Sequence, residues 1–112
     1  MQYLRSATLA LGLLRSIATS LSFAQSLDAR LQGCATCHGV DGNSALPNIP
    51  SLAGQPRVFL ENQMVVIREG LREIPAMKGQ LEGVNDATII AMAKFYASQN
   101  VKSSPAQKNQ VL

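Results

Sequence analysis

Cys34, Cys37 and His38 fall within one pentapeptide, Cys34-Ala35-Thr36-Cys37-His38, and His38 is the one histidine of the chain. Thiols and an imidazole are both nucleophiles and metal ligands, so this run could do several kinds of chemistry. A Cys34–Cys37 disulfide would close a loop too short to stabilise much. A structural zinc site needs four ligands, and two cysteines with one histidine do not supply them. A thioredoxin-like dithiol follows a strand in an α/β pattern, and no strand alternation precedes Cys34. Cys-x-x-Cys-His is also the attachment site of c-type haem. Two thiols one short turn apart can form thioethers with the two vinyl groups of one porphyrin, and the next residue, His38, can then ligate the iron. That reading accounts for all three residues.

A second axial ligand must come from elsewhere, and with no other histidine a methionine thioether is the natural choice. Met64 and Met92 sit in apolar helical stripes, where methionine is ordinary core packing. Met77 lies between two helical patterns, after Pro75-Ala76 and before Lys78-Gly79, where the backbone can turn a side chain onto a flat ring. Met77 is the expected ligand.

The elements that must position these groups read as helices joined by loops. A short helix is expected over Leu27 to Gln32, leading into Cys34. Gly39 to Ser44, followed by Pro47 and Pro50, is turn and loop chemistry. Pro56 suits a first helical position; Leu60, Met64 and Ile67 then share one face, and Gly70 supplies a stop. Asn85 is an N-cap with Asp86 in the first turn, and Ile89, Met92, Ala93 and Tyr96 form the stripe of a last helix, widened by Phe95. The fold class expected is all-α, three to four helices around one covalently bound haem.

The amino terminus reads as a secretory leader. Arg5, the apolar run Ala7 to Leu14 and the small-x-small pattern of Ser22-Phe23-Ala24 place a cleavage site after Ala24. The domain plan is a signal peptide at 1–24, a monohaem domain at 25–100 and a flexible C-terminal tail at 101–112. The leader is too short and too interrupted by Arg15 to anchor in a membrane, so no stable membrane insertion is expected after its removal. It also carries two of the 10 basic residues and none of the 7 acidic ones, which leaves eight against seven, a net of +1. Nothing in that balance resembles the basic cluster phosphate binding needs, which excludes a nucleic-acid function. The remaining domain has no Trp and few aromatics, so something other than side chains must fill part of its core.

Beyond these readings, the chain resembles class I cytochromes c, above all a single domain of the bacterial dihaem periplasmic cytochromes c. The resemblance rests on Cys34-Ala35-Thr36-Cys37-His38-Gly39 and on Pro50-Ser51-Leu52-Ala53-Gly54-Gln55. It extends to Phe59-Leu60, Gln63-Met64, Arg68, Gly70 and Arg72, and to Met92-Ala93-Lys94-Phe95-Tyr96. It implies that the Pro50 carbonyl holds the other nitrogen of His38, that Leu52 packs on the ring and that Met77 is axial. The chain departs from the pattern in its short N-terminal helix, which lacks a glycine for close crossing, and in Met92 where a leucine is usual.

The function these readings imply is one-electron transfer in the periplasm between redox protein donors and acceptors, with no separate catalytic site. The same residues suit a haem electron-accepting subunit of a periplasmic oxidoreductase, such as a sulfur-compound dehydrogenase. An enzyme with an open iron site is the third reading, and a bound Met77 argues against it.

Overall fold

The computed structural model describes residues 27–103. The expected leader and its cleavage site lie outside the described residues. The chain divides into two units, Met1–Arg30 and Leu31–Leu112; the second carries every candidate site residue. Three α-helices and one 3₁₀ turn make up the regular structure of the described residues, with no strand among them: α1 at residues 27–38, α2 at Arg57–Arg68, the 3₁₀ turn at Pro75–Met77, and α3 at Asp86–Ala97. The expected all-α class holds. None of the described helices is long and apolar enough to cross a membrane.

Helix α1 is longer than the sequence suggested. It runs through Cys34, Cys37 and His38 instead of ending near Gln32. Nothing in Gly33-Cys34-Ala35-Thr36 breaks a helix outright, and the stop comes from Gly39, whose φ of +85° is a left-handed conformation open to glycine. Its N–H still reaches the Ala35 carbonyl at 3.0 Å, and a Cβ there would run into the Asn43 carbonyl.

Helix α2 starts one residue later than expected. Pro56 is its N-cap, accepting from the Leu60 N–H at 3.1 Å, and Arg57 is its first residue. Gly70, at φ +72°, ends it as anticipated, and the Val66 carbonyl accepts from Leu71 and Arg72. Helix α3 is capped by Asn85, whose side-chain oxygen accepts from the Thr88 N–H at 2.8 Å. Its buried residues, Thr88, Ile89, Met92, Ala93 and Tyr96, follow the stripe read from the sequence.

The core forms where α2 and α3 pack on each other, around Leu60, Ala93 and Tyr96. Leu31 and Cys34 of α1, Leu52 of the loop and Met64 of α2 pack against it. With Leu31 there, α1 meets this core through a side chain. Gly33 lies in open space and takes no part in a close crossing.

Residues 39–56 are laid over the end of α3. Gly42, at φ +79°, lies so close that an added Cβ would come within 2.7 Å of the Tyr96 ring and 2.9 Å of the Ala53 nitrogen. Its carbonyl accepts from both Leu52 and Ala53, and Gly54 N–H donates to the Tyr96 carbonyl at 2.9 Å. The first residues of the expected tail are tied down as well. Lys102 donates its N–H to Asn43 Oδ1 at 2.8 Å, and its ammonium pairs with Asp41 at 2.6 Å. Residues 104–112 lie outside the described residues.

Asp41 is thus held by Lys102 first and by the Asn43 N–H second, and its carboxyl drops from 3.8 to about 2. A depressed carboxylate stabilises the fold above its unfolded value and loses that contribution as pH falls through its folded one. Thermal midpoints of the parent should therefore decline between about pH 4 and about pH 2, and Asp41→Asn should flatten that segment while lowering the midpoint at neutral pH. An acid limb unchanged in the variant would show that the pair contributes nothing.

Candidate functional site

The extension of α1 to His38 decides how the chemistry is presented. On one continuous helix Cys34 and Cys37 stand one turn apart, and His38 follows at the carboxyl end. Neither cysteine is in a disulfide. Cys37 is exposed, whereas Cys34 is half-buried against Leu60, Ala93 and Tyr96. The buried Tyr96 hydroxyl lies beside Cys34; burial first, then the neighbouring sulfur, push its phenol above the ordinary range.

His38 is 8 % exposed, and its Nδ1 lies 2.8 Å from the Pro50 carbonyl oxygen. A carbonyl can only accept, so Nδ1 carries the proton. In the neutral ring Nε2 is then left with its lone pair, which is the form a metal needs. The loop holds Pro50 in place through bonds the sequence did not advertise. Ser44 is buried, its N–H donates to Ser51 Oγ at 3.0 Å, and its hydroxyl lies 3.4 Å from the Cys37 carbonyl. Gln55 Nε2 donates to the Ser51 carbonyl at 3.0 Å. Two loop serines carry no sequence signal of their own; only the positions they bridge give them meaning.

Leu52 packs against the same core cluster as Cys34, and its N–H donates to Gly42 O at 2.7 Å. Met77 closes the 3₁₀ turn and stands in the wall of a cavity of about 580 Å³, with Ile67, Arg68, Ile74, Pro75 and Leu81. His38 and the cysteines are not part of that wall. Met64 packs on the core cluster and Met92 is 1 % exposed. Of the three methionines among the described residues, Met77 is the one that lines this cavity.

Two thiols one turn apart and an imidazole whose Nδ1 is engaged fit covalent haem attachment. The sequence profile of the family described as cytochrome c matches residues 28–103. The chain belongs to the cytochrome c family.

Members of this family are electron-transfer proteins, and the chain carries one covalent haem c through Cys34 and Cys37. It is similar to cytochrome c4 of Pseudomonas aeruginosa, at 40% identity over 83 residues, which is 74% of this chain and 41% of that protein. It is 35% identical over 69 residues to cytochrome c-554(548) of Halomonas halodenitrificans, covering 59% of this chain and 83% of the relative. A thiosulfate dehydrogenase electron acceptor of Thiomonas intermedia is 30% identical over 74 residues, covering 65% of this chain and 34% of the relative. The crystal structure of reduced recombinant cytochrome c4 from Pseudomonas stutzeri superposes with a TM-score of 0.65 at 33% identity, over 70% of this chain and 46% of that one. The chain therefore spans less than half the length of the cytochromes c4 it matches.

Covalent attachment has a direct test. Acid–organic extraction should leave one haem on the purified parent and none on the Cys34→Ala/Cys37→Ala protein. Absorbance of the extracted polypeptide measures it, and haem retained by the double variant would refute attachment through this pair.

Proposed function

We propose that this cytochrome is exported to the periplasm, loses its leader after Ala24, and shuttles single electrons with His38 and Met77 as axial ligands. The observation that carries the reading is the 2.8 Å hydrogen bond from His38 Nδ1 to Pro50. When bound, the haem supplies a one-electron Fe(III)/Fe(II) couple. Pro50 fixes the tautomer and raises the basicity of the imidazole, so His38 presents Nε2 in a set direction. Leu52, which packs on the same core cluster as Cys34, would cover the ring. The Met77 thioether would occupy the remaining axial position, which leaves the site without room for a substrate and suits electron exchange.

The ligand assignment separates the three methionines. Ferric parent protein should show the weak near-infrared charge-transfer band of methionine sulfur on low-spin iron. Met77→Ala should abolish the band and lower the reduction potential, while Met64→Leu and Met92→Leu should leave both in place. A band lost in Met64→Leu instead would move the role to Met64.

Docking follows from the charges. Without the leader, the side chains sum to +1, and two ionised haem propionates would bring the total to about −1. Locally, Arg57 and Arg68 are matched by carboxylates, whereas Arg72 meets only a neutral amide. Arg57 pairs with Glu61 at 2.9 Å, Arg68 with Asp86 and Glu69, and Arg72 bonds to Gln63. This pairing supports encounter through apolar surface rather than through a steering face built on Arg57, Arg68, Arg72 and Lys78. The second-order rate with the native redox partner should change by no more than about threefold between low and high ionic strength. A fall of about tenfold or more would demonstrate a charged interface. The similarity to a thiosulfate dehydrogenase electron acceptor favours a dehydrogenase as one such partner.

A further inference from the structure

We propose that Arg68 is a positioning residue for Met77, clamping shut the loop that carries the thioether. The inference rests on the reading of Met77 as axial ligand and goes beyond it, because it names what keeps the ligand in place.

Arg68 is the last residue of α2, and its guanidinium reaches across to the far end of the following loop. Nη1 donates to the Val84 carbonyl at 2.8 Å and to Asp86 Oδ1 at 2.8 Å, and Nε donates to Glu69 Oε1 at 2.9 Å. Residues 69–85 thus begin and end at one side chain. That side chain is 18% exposed although its partner Asp86 is 80% exposed, so the fork is covered and the carboxylate caps it from outside. Arg68 also stands in the same cavity wall as Met77.

Little else of a polar kind spans the loop. Its first turn is tied to α2 by Leu71 and Arg72, which donate to the Val66 carbonyl; beyond that turn the backbone bonds run three residues back: Met77 to Ile74, Lys78 to Pro75, Gln80 to Met77, Glu82 to Gly79 and Val84 to Leu81. Such turns set local shape without tying the loop to the helices. Burial of Leu81 and Val84 anchors the second half, and the bond between Arg72 and Gln63 secures the first turn after α2. The Arg68 fork joins the two ends. Tying both ends of a loop removes open conformations in which the thioether is away from the iron, and two bonds from one planar group do this better than a single ammonium contact. The same pairing makes Arg68 a poor docking cation, since its charge is already shared between Asp86 and Glu69.

The test uses ferric holoprotein and imidazole, a small ligand that competes with a methionine for haem iron. Loosening the clamp should raise the population of the open loop and tighten apparent imidazole binding in proportion. Arg68→Gln should tighten it about tenfold, the order of one net charge-assisted hydrogen bond. Arg68→Lys should fall between that variant and the parent, and Asp86→Asn should tighten it about threefold because the Val84 bond survives. Asp41→Asn, which loosens the fold away from this loop, should leave imidazole affinity within twofold of the parent; a shift as large as that of Arg68→Gln would reduce Arg68 to general stability and overturn the proposal. Affinity of Arg68→Gln within twofold of the parent would also overturn it. If in that case the near-infrared band is present in the parent and absent in Met77→Ala, the ligand assignment survives and only the clamp falls. A parent whose band does not depend on Met77 would remove both. Should Arg68→Gln holoprotein fail to accumulate, Asp86→Asn decides, and an unchanged affinity there overturns the clamp.

Discussion

A single hydrogen bond, from His38 Nδ1 to the Pro50 carbonyl, sets the terms for the rest of the molecule. It can form only if the end of α1 and the proline-rich loop meet at one distance and one angle. The proline nitrogen carries no hydrogen, so Pro50's own backbone atoms can only accept. Holding that carbonyl still is a backbone problem. It is met by Gly42, which presses against Tyr96 and accepts from two N–H groups, and by the Ser44–Ser51 bond. The loop is therefore fastened to α3 and α1 at once, and the imidazole inherits that rigidity. Nearly buried and with its proton position fixed, His38 presents one nitrogen in one direction, which is the arrangement a metal ligand would need.

A second constraint is volume. The cluster of Leu60, Ala93 and Tyr96 is small, and Cys34 packs directly on it. Attachment at Cys34 therefore joins the cofactor to the protein's own core, so that folding and haem binding reinforce each other. Small domains commonly need such a staple, and a covalently held porphyrin is a large apolar one. This places Tyr96 at a junction: its ring supports Gly42, its carbonyl accepts from Gly54, and its hydroxyl is buried beside the attachment sulfur.

Much of this was legible in the sequence because it was carried by residue types with narrow uses. Cys34, Cys37 and His38 admit few chemistries at that spacing, Asn85 caps as its type predicts, and the α3 stripe follows the helical period. The end of α1 was misread because helix continuation through Gly33-Cys34-Ala35-Thr36 depends on where Gly39 can turn, and a turn of that kind is a tertiary fit against Asn43. Pro56 fell one residue from its expected place for a milder reason, since a proline suits both the cap and the first helical position. Ser44, Ser51 and the Arg68 fork could not be read at all. Their partners lie 7 to 18 residues away, and a serine or an arginine in isolation has no preferred partner.

The two proposed ligand residues, His38 and Met77, are thus held by different physics. The histidine side is held chiefly through backbone: a helix terminus, a proline carbonyl and a glycine contact against α3. The methionine side is fixed by side chains, with Leu81 and Val84 buried and Arg68 joined to Val84 and Asp86 across the loop. Side-chain anchors open at lower cost than packed backbone, so the loop of Met77 is the part expected to yield first under acid, heat or a competing ligand. That asymmetry suits an electron carrier. With His38 and Met77 as the proposed ligands, the imidazole would set the frame, while the thioether contact would depend on how firmly residues 69–85 are closed, which a change at Arg68 or Asp86 could adjust without touching either residue.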